Sequence, residues 1–292
     1  MHARAVAALA TALAAAAALL LPVSGARAAD AQRPQPVVVA HRGASSHAPE
    51  NTLPAVDKAA ALGFSWVEND VQRTKDGELV VVHDATLKRT TNVERLFPGR
   101  APWNVKDFTA AEIARLDAGS WFSPAFTGTR VPTLDQYMRR LEHNHEKLLL
   151  EIKNPELYPG IEVQILKVLA NDGWLDQRHL ASRLIVQSFS ADSVRTVHAL
   201  KPAVRTALLG RPDTADLHRY AAFVDLINPS YRSLSAEYMA AVRAHRGPHG
   251  APMGVFAWTV DDAAGARTVA GYGVDGIITN KPEVVRAALT TV

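Results

Sequence analysis

Two acids stand two residues apart in the apolar run FSWVENDV: Glu68 and Asp70. The chain then turns through Lys75, Asp76 and Gly77, runs through the aliphatic stretch Leu79 to Val82, and arrives at His83. Glu151 and Lys153 repeat the two-residue spacing in LLLEIK, and His41 with Arg42 follows VVVA. Burying such charge costs free energy unless the groups are paired or hold a cation. Three carboxylates at one place repel one another. A hard divalent cation, Ca2+ or Mg2+, prefers oxygen ligands and would neutralise them. Zinc would ask for more histidine or for cysteine, and the chain has no cysteine. Arg42 and Lys153 suit an anion, and a phosphate can bridge a metal and an arginine. Two histidines beside a metal-bound phosphate suggest a general acid and a general base. The set reads as metal-assisted phosphoester cleavage. Taken singly, none of these residues does: most Glu-x-Asp pairs are solvated, and most buried histidines are hydrogen-bonded core residues.

What gives the set meaning is the elements that must carry it. Side chains on a strand alternate faces, so Glu68 and Asp70 project together and Asn69 projects the other way. The same holds for Glu151 and Lys153, with Ile152 turned away. Short apolar runs alternate with longer amphipathic ones along the chain. The expected strands are 37–41, 64–71, 148–153, 184–189, 205–210, 225–230, 254–260 and 276–280. The expected helices are 51–62, 133–144, 160–172, 190–201, 214–223, 235–246, 261–272 and 282–289, several opening on Ser, Thr, Asp or Asn as N-caps do. In 160–172 the apolar residues Ile161, Val163, Ile165, Leu166, Val168 and Leu169 form a helical stripe with one strand-like interruption. Eight strand–helix units in about 250 residues imply an α/β fold, a (β/α)8 TIM barrel, whose active sites lie at the carboxyl ends of the strands. A doubly wound open sheet is the alternative. It commonly carries a Gly-rich phosphate turn, and no GxGxxG follows the first strand.

Two pieces exceed the eightfold count. ELVVV (78–82) follows the Asp76-Gly77 turn directly and reads as a β-hairpin arm after the second strand. A regular hairpin returns His83 to the level of Glu68 and Asp70. The stretch 85–132 is a long insertion after that strand, and Thr109 to Glu112 within it forms a capping-box pattern. Its aromatics, Phe97, Trp103, Phe108, Trp121, Phe122 and Phe126, suit a core or lid, or an apolar ramp for lipid.

Residues 1–28 do not read as part of the fold. Arg4, an Ala- and Leu-rich run through Leu21, and Ala26-Arg27-Ala28 have the pattern of a secretory signal peptide cleaved after Ala28. The remaining domain, 29–292, would then be secreted, to the extracellular space or the periplasm. Losing Arg4 and Arg27 takes the formal charge from +3 to +1, which is no footprint for nucleic acid. No later apolar run is long enough for stable membrane insertion.

HRGASSHAPENT, ENDVQRTKDGELVVVHD, LLLEIKNP and GVDGIITNKP resemble the motifs of the glycerophosphodiester phosphodiesterase family, and GSWFSPAFTGTRVPTLDQ resembles its connecting segment. The likeness runs from about Val37 to Pro282, and the first two motifs together are highly specific. The family belongs to the phosphatidylinositol-phospholipase-C-like phosphodiesterases, which use a (β/α)8 barrel. The resemblance implies Glu68, Asp70 and Glu151 as ligands of one divalent cation, Ca2+ or Mg2+, and His41 and His83 as the acid–base pair. It implies phosphate contacts from Arg42 and Lys153, and a substrate pocket lined by Trp258 and, more weakly, Gln187. The implied substrate is a small glycerophosphodiester, cleaved to glycerol 3-phosphate and an alcohol. Alternatives are a phospholipase D or C acting on lysophospholipids, and an inactive barrel that binds polyol-phosphate polymers. Glu50 either supports the site residues from behind or is structural, and the structural reading, a cap for the helix beginning at Thr52, is the favoured one. His47 matches no motif position. His143, His145, His179, His198, His218, His245 and His249 lie away from the strand tops and are expected at the surface.

Overall fold

Eight strands run parallel and close on one another in the computed structural model, which describes residues 34–290. The expected leader, 1–28, lies outside the described residues. In chain order the strands are β1 (Val37–Ala40), β2 (Trp66–Arg73), β3 (Leu79–Val81), β4 (Lys147–Ile152), β5 (Leu184–Ser188), β6 (Arg205–Leu209), β7 (Leu226–Asn228), β8 (Gly254–Ala257) and β9 (Gly276–Thr279). The neighbour order β1-β9-β8-β7-β6-β5-β4-β2 is closed by β1 pairing with β2, so the barrel has no free edge. Only β3 stands outside it, antiparallel to β2 with Val81 opposite Val71. The expected (β/α)8 barrel with a hairpin after its second strand is what the chain forms. Among the described residues no helix is long and apolar enough to cross a membrane.

Alternation along each strand divides the core in two. Outward residues such as Val67, Leu148, Leu150 and Val186 pack against the surrounding helices, including Tyr137, Met138 and Leu141 of helix Leu134–His143. Inward residues fill the barrel with one side chain per strand: Val39, Trp66, Leu149, Ile185, Ala207, Leu226, Phe256 and Ile278. Trp66 meets Phe256 edge-on at 6.4 Å. A Cβ on Gly276 would sit 2.6 Å from the Phe256 ring, so a side chain there would expel the ring from the barrel. Truncating one of these fillers, such as Leu149→Ala, costs about 2–5 kcal/mol of stability.

The connections follow local chemistry, with departures from expectation. Thr109–Glu112 and Thr133–Gln136 both close capping boxes. β7 stops at Asn228 because Pro229 has no N–H for a ladder. The expected helix 214–223 opens as a 3-10 turn over Thr214–Asp216, continues as α-helix over Leu217–Tyr220 and ends there, since the chain must enter β7 six residues later. In helix Ile161–Asn171, Val163 is exposed, while Glu162 takes a buried place and accepts a 2.6 Å hydrogen bond from Ser193. His179, expected at the surface, is buried in an extra helix, Gln177–Ser182. Its ring lies against Trp174 between Asp176 (2.7 Å) and Glu142 (3.1 Å). The insertion and the hairpin arm share a small core, with Val80 and Val82 from the arm and Leu87, Val93, Val105, Phe108, Ile113 and Leu116 from the insertion.

Candidate active site

One step of two residues beyond the barrel's apolar fillers changes the chemistry. Val39 leads to His41, Trp66 to Glu68 and Asp70, Leu149 to Glu151 and Lys153, Ile185 to Gln187 and Phe189, Phe256 to Trp258, and Ile278 to Asn280. The parallel register sets Asp70 beside Glu151. His41, Arg42, Glu68, His83, Glu151, Lys153, Gln187 and Trp258 line one cavity of about 100 Å3, with Asp70 fully buried beside them. Beside Lys153 and Phe189 it adjoins a groove of about 340 Å3 lined by Asn154, Glu156, Ser188 and Ser190. A larger depression of about 500 Å3, lined by Arg73, Lys75, Lys106 and Tyr158, sits at the hairpin tip and gathers no acids of the triad. All the residues expected at the site are thus brought together.

The turn after β1 is shaped by Gly43. Its φ is +80°, and a Cβ there would fall 2.6 Å from Ala55 in the following helix. Arg42 is itself left-handed at φ 58°, a conformation that persists only when contacts compensate it. Those contacts converge on the acids. The Arg42 N–H donates to Glu68 Oε2 at 2.9 Å, and Nε lies 3.4 Å from Asp70 Oδ2. Asn51 Nδ2 donates to the same Asp70 oxygen at 2.8 Å. Lys153 Nζ is 2.7 Å from Glu151 Oε1, outside hydrogen-bonding alignment, and 3.8 Å from Asp70 Oδ1.

The acids have too few hydrogen bonds for their oxygens, and Glu151 Oε1 has only the ion pair with Lys153. Glu68 Oε1, Asp70 Oδ1 and Glu151 Oε1 are buried and without a hydrogen bond, and the three groups offer ligand atoms within 4.8 Å of one another. Unpaired buried carboxylate oxygens are costly, and a small hard cation is the partner that all three can share. The electrostatics agree. Burial, then repulsion from Asp70 and Glu151, pushes Glu68 well above the ordinary carboxylate range. Burial and then Asp70 push Glu151 up to about 8. Burial acts the same way on Asp70, but Arg42, His83, Lys153 and Asn51 outweigh it and hold it down. The residues present fit one divalent cation.

Both histidines are fixed through Nδ1. Asn280 donates from Nδ2 to Asp261 at 2.7 Å, which turns its Oδ1 toward His41 Nδ1, also at 2.7 Å. Nδ1 therefore carries the proton, and Nε2, 3.9 Å from Glu68 Oε2, is the free acceptor. Burial, aided by the charge of Arg42, pushes His41 down to about 4, so the ring is neutral near pH 7. His83 follows Val82, whose N–H bonds to the Asp70 carbonyl at 2.9 Å, and its Nδ1 meets Asp84 Oδ1 at 2.7 Å. Gln72, two residues past Asp70 on the same face, donates to the carbonyls of Val82, His83 and Asp84 and so clamps the exit of the hairpin.

Glu50 departs from expectation. It does not cap the helix at Thr52. It accepts from Arg42 Nη1 at 2.8 Å and from Arg89 at 2.8 Å, because the left-handed turn brings Arg42 over it. Sequence reading also missed Asn280, Asp261, Gln72, Asp84, Arg89 and Phe189. The parity rule that found the acids would have found Asn280, Gln72 and Phe189. Nothing in local spacing points to Arg89. Trp258 Nε1 donates to the Asn228 carbonyl at 2.7 Å, and its ring meets the exposed Phe189 edge-on at 5.7 Å, so the two aromatics wall one side of the mouth. Gln187 Oε1 accepts from Asn228 at 2.9 Å.

Comparison with known proteins extends this picture. Residues 41–284 match the model of the glycerophosphoryl diester phosphodiesterase family. A glycerophosphodiester phosphodiesterase of Bacillus subtilis is 33% identical over 281 residues, covering 91% of this chain and 91% of the relative. One from Caldanaerobacter subterraneus subsp. tengcongensis is 35% identical over 252 residues, covering 85% and 96%. Among solved structures, an Oleispira antarctica phosphodiesterase in complex with the product sn-glycerol-3-phosphate superimposes with a TM-score of 0.75 at 25% identity, covering 88% of this chain and 98% of the other. Matched over most of its length in sequence and in fold, the chain belongs to the glycerophosphoryl diester phosphodiesterase family, a family of phosphoric diester hydrolases.

Proposed function

We propose that the protein hydrolyses small glycerophosphodiesters to glycerol 3-phosphate and an alcohol, using one divalent cation, Ca2+ or Mg2+, after export from the cytoplasm. The observation that carries this reading is the set of three buried, converging carboxylates beside two histidines whose Nδ1 atoms are both tied back. Glu68, Asp70 and Glu151 would hold the cation, which when bound supplies Lewis-acid stabilisation of the phosphate charge. Arg42 and Lys153 face the same place and hold the phosphate through charge-assisted hydrogen bonds. His41, neutral with Nε2 free, takes a proton from the attacking water as its oxygen bonds to phosphorus. His83, backed by the Asp84 carboxylate, gives a proton to the leaving alkoxide as the P–O bond breaks. The polar groove beyond Lys153 accommodates the departing alcohol.

The product bound to the Oleispira antarctica relative supports the glycerol 3-phosphate side of this reading. The lysolipid alternative loses most of its basis, since Phe108 is fully buried and Phe97 and Trp103 pack on the insertion's core. Of the six aromatics only Trp121 is well exposed, at 40%. Turnover of glycerophosphocholine against lysophosphatidylcholine, followed by 31P NMR, tests the substrate assignment. Strong preference for the glycerophosphodiester is expected, and preference for the lysolipid overturns it. Export predicts a mature N-terminus at Ala29 in protein recovered outside the cytoplasm.

A further inference from the structure

We propose that Arg89 is a positioning residue of the active site, which fixes the His83 imidazole and the Arg42 guanidinium relative to one another by gripping Asp84 and Glu50 at once. The inference rests on the acid–base role of His83 given above. Arg89 Nε donates to Asp84 Oδ2 at 2.8 Å and Nη2 to Asp84 Oδ1 at 3.0 Å. Nη1 donates to Glu50 Oε2 at 2.8 Å and Nη2 to Glu50 Oε1 at 2.8 Å. Both oxygens of both carboxylates are therefore engaged by one planar fork, a geometry that a lysine ammonium cannot supply. Each carboxylate passes the constraint inward. Asp84 Oδ1 accepts from His83 Nδ1 at 2.7 Å, and Glu50 Oε1 accepts from Arg42 Nη1 at 2.8 Å.

The result is a continuous line of contacts, His83–Asp84–Arg89–Glu50–Arg42–Asp70, that runs from one catalytic group to a buried acid. Its members come from four separate segments: the turn after β1, strand β2, the exit of the hairpin and the insertion. Arg89 is the only member from deep enough in the insertion to be set by that insertion's core, two residues after the fully buried Leu87. The hydrogen bonds of Arg89 hold Asp84 well below its ordinary carboxylate range, and against the effect of burial Arg89 and Arg42 do the same for Glu50. Without Arg89, the Asp84 carboxylate keeps His83 as its partner but loses what orients it, and the ring it holds can drift although Gln72 still clamps the backbone there. A misplacement of about 1 Å at a reacting group can cost about 100-fold in rate. The side chain is itself 44% exposed, so its removal affects stability little.

The test compares wild type with Arg89→Ala, Arg89→Lys, Asp84→Asn, His83→Ala and the doubles R89A/D84N and R89A/H83A, using glycerophosphocholine with saturating divalent cation. In parallel, 15N NMR of the His83 ring at one fixed pH reports its Nδ1 hydrogen bond without any turnover. The expected results are a kcat lower by roughly 10- to 100-fold in R89A with a smaller change in KM, and little recovery in R89K. Partial rescue of R89A by free guanidinium ion and a changed His83 Nδ1 resonance are expected too. In the D84N and H83A backgrounds R89A should cost clearly less than it does in wild type, the remainder being what it passes to Arg42 through Glu50. An R89A enzyme within about twofold of wild type, while H83A is dead, overturns the Arg89 role and leaves the hydrolase reading intact. Full multiplicative loss on top of H83A overturns it as well. A near-normal H83A removes His83 from the chemistry and this inference with it. Should wild type cleave no glycerophosphodiester, the functional reading fails, and an unchanged His83 resonance in R89A would separately refute the positioning. If R89A does not fold, R89Q takes its place in every comparison.

Discussion

Glu151→Gln should stabilise the cation-free protein and abolish most of the stabilisation that a cation adds, and that pair of effects tests the acidic triad. Glu151 is 6% exposed, and its folded pKa of about 8 stands above an ordinary value of 4.5. Between those values the folded protein keeps a proton that the unfolded chain releases, so stability falls as pH rises through the window. Above pH 8 the whole cost of holding the ionised group is present. At about 1.4 kcal/mol per pH unit the ceiling is roughly 4–5 kcal/mol. Lys153, 2.7 Å away, loses its nearest partner in the variant, which reduces the net gain to about 1–3 kcal/mol. Cation binding works the other way. At one hundred times the dissociation constant it adds about 2.7 kcal/mol to the wild type. For a domain of this size 1 kcal/mol moves Tm by about 2–4 °C. Differential scanning fluorimetry at pH 8.5 should therefore show wild type rising by about 5–10 °C when EDTA is replaced by saturating Ca2+ or Mg2+. E151Q in EDTA should melt above wild type in EDTA, and its own response to the cation should fall below about 2 °C. A wild type indifferent to cation, or an E151Q that melts lower than wild type in EDTA, refutes the reasoning.

Other consequences can be measured with the same protein. His41→Ala and His83→Ala should each lower kcat by roughly 100-fold or more, and a near-normal rate in either excludes that ring from proton transfer. Because burial holds His41 near 4, it remains a competent base until pH falls through that value. The acidic limb of kcat/KM should then lie below pH 5, and a limb at the ordinary histidine value of 6.5 would assign the base elsewhere. Far from the site, Glu146 Oε1 is buried without a hydrogen bond, and burial pushes the group up to about 8. Glu146→Gln should match wild type in Tm near pH 4 and exceed it increasingly up to pH 8.5, by several degrees, whereas a pH-independent difference would contradict this.

Periodicity carried most of the site into view. Glu68, Asp70, Glu151 and Lys153 were legible because a strand's two-residue repeat is a hard geometric rule, and the barrel closes those strands around one mouth. His83 was legible because Asp76-Gly77 sets a regular hairpin. Asn280 and Gln72 obey the same rule but carry no charge, so nothing about burying them demanded explanation. Glu50 was misread for a different reason. Its role depends on Arg42 turning left-handed, a backbone choice imposed by the packing of Gly43 on Ala55. Arg89 meets Asp84 and Glu50 only once the insertion folds, and His179 is buried only because an unexpected helix turns it onto Trp174. Contacts that depend on how loops pack have no period to read.

The central claim is that three converging carboxylates hold a divalent cation on which phosphodiester hydrolysis depends. It is tested most directly by following glycerol 3-phosphate release from glycerophosphocholine with purified protein, first in EDTA and then after adding back Ca2+ or Mg2+. The account predicts no turnover in EDTA and recovery with at least one of the two ions, a recovery absent in Glu151→Gln. Undiminished turnover in EDTA would contradict it.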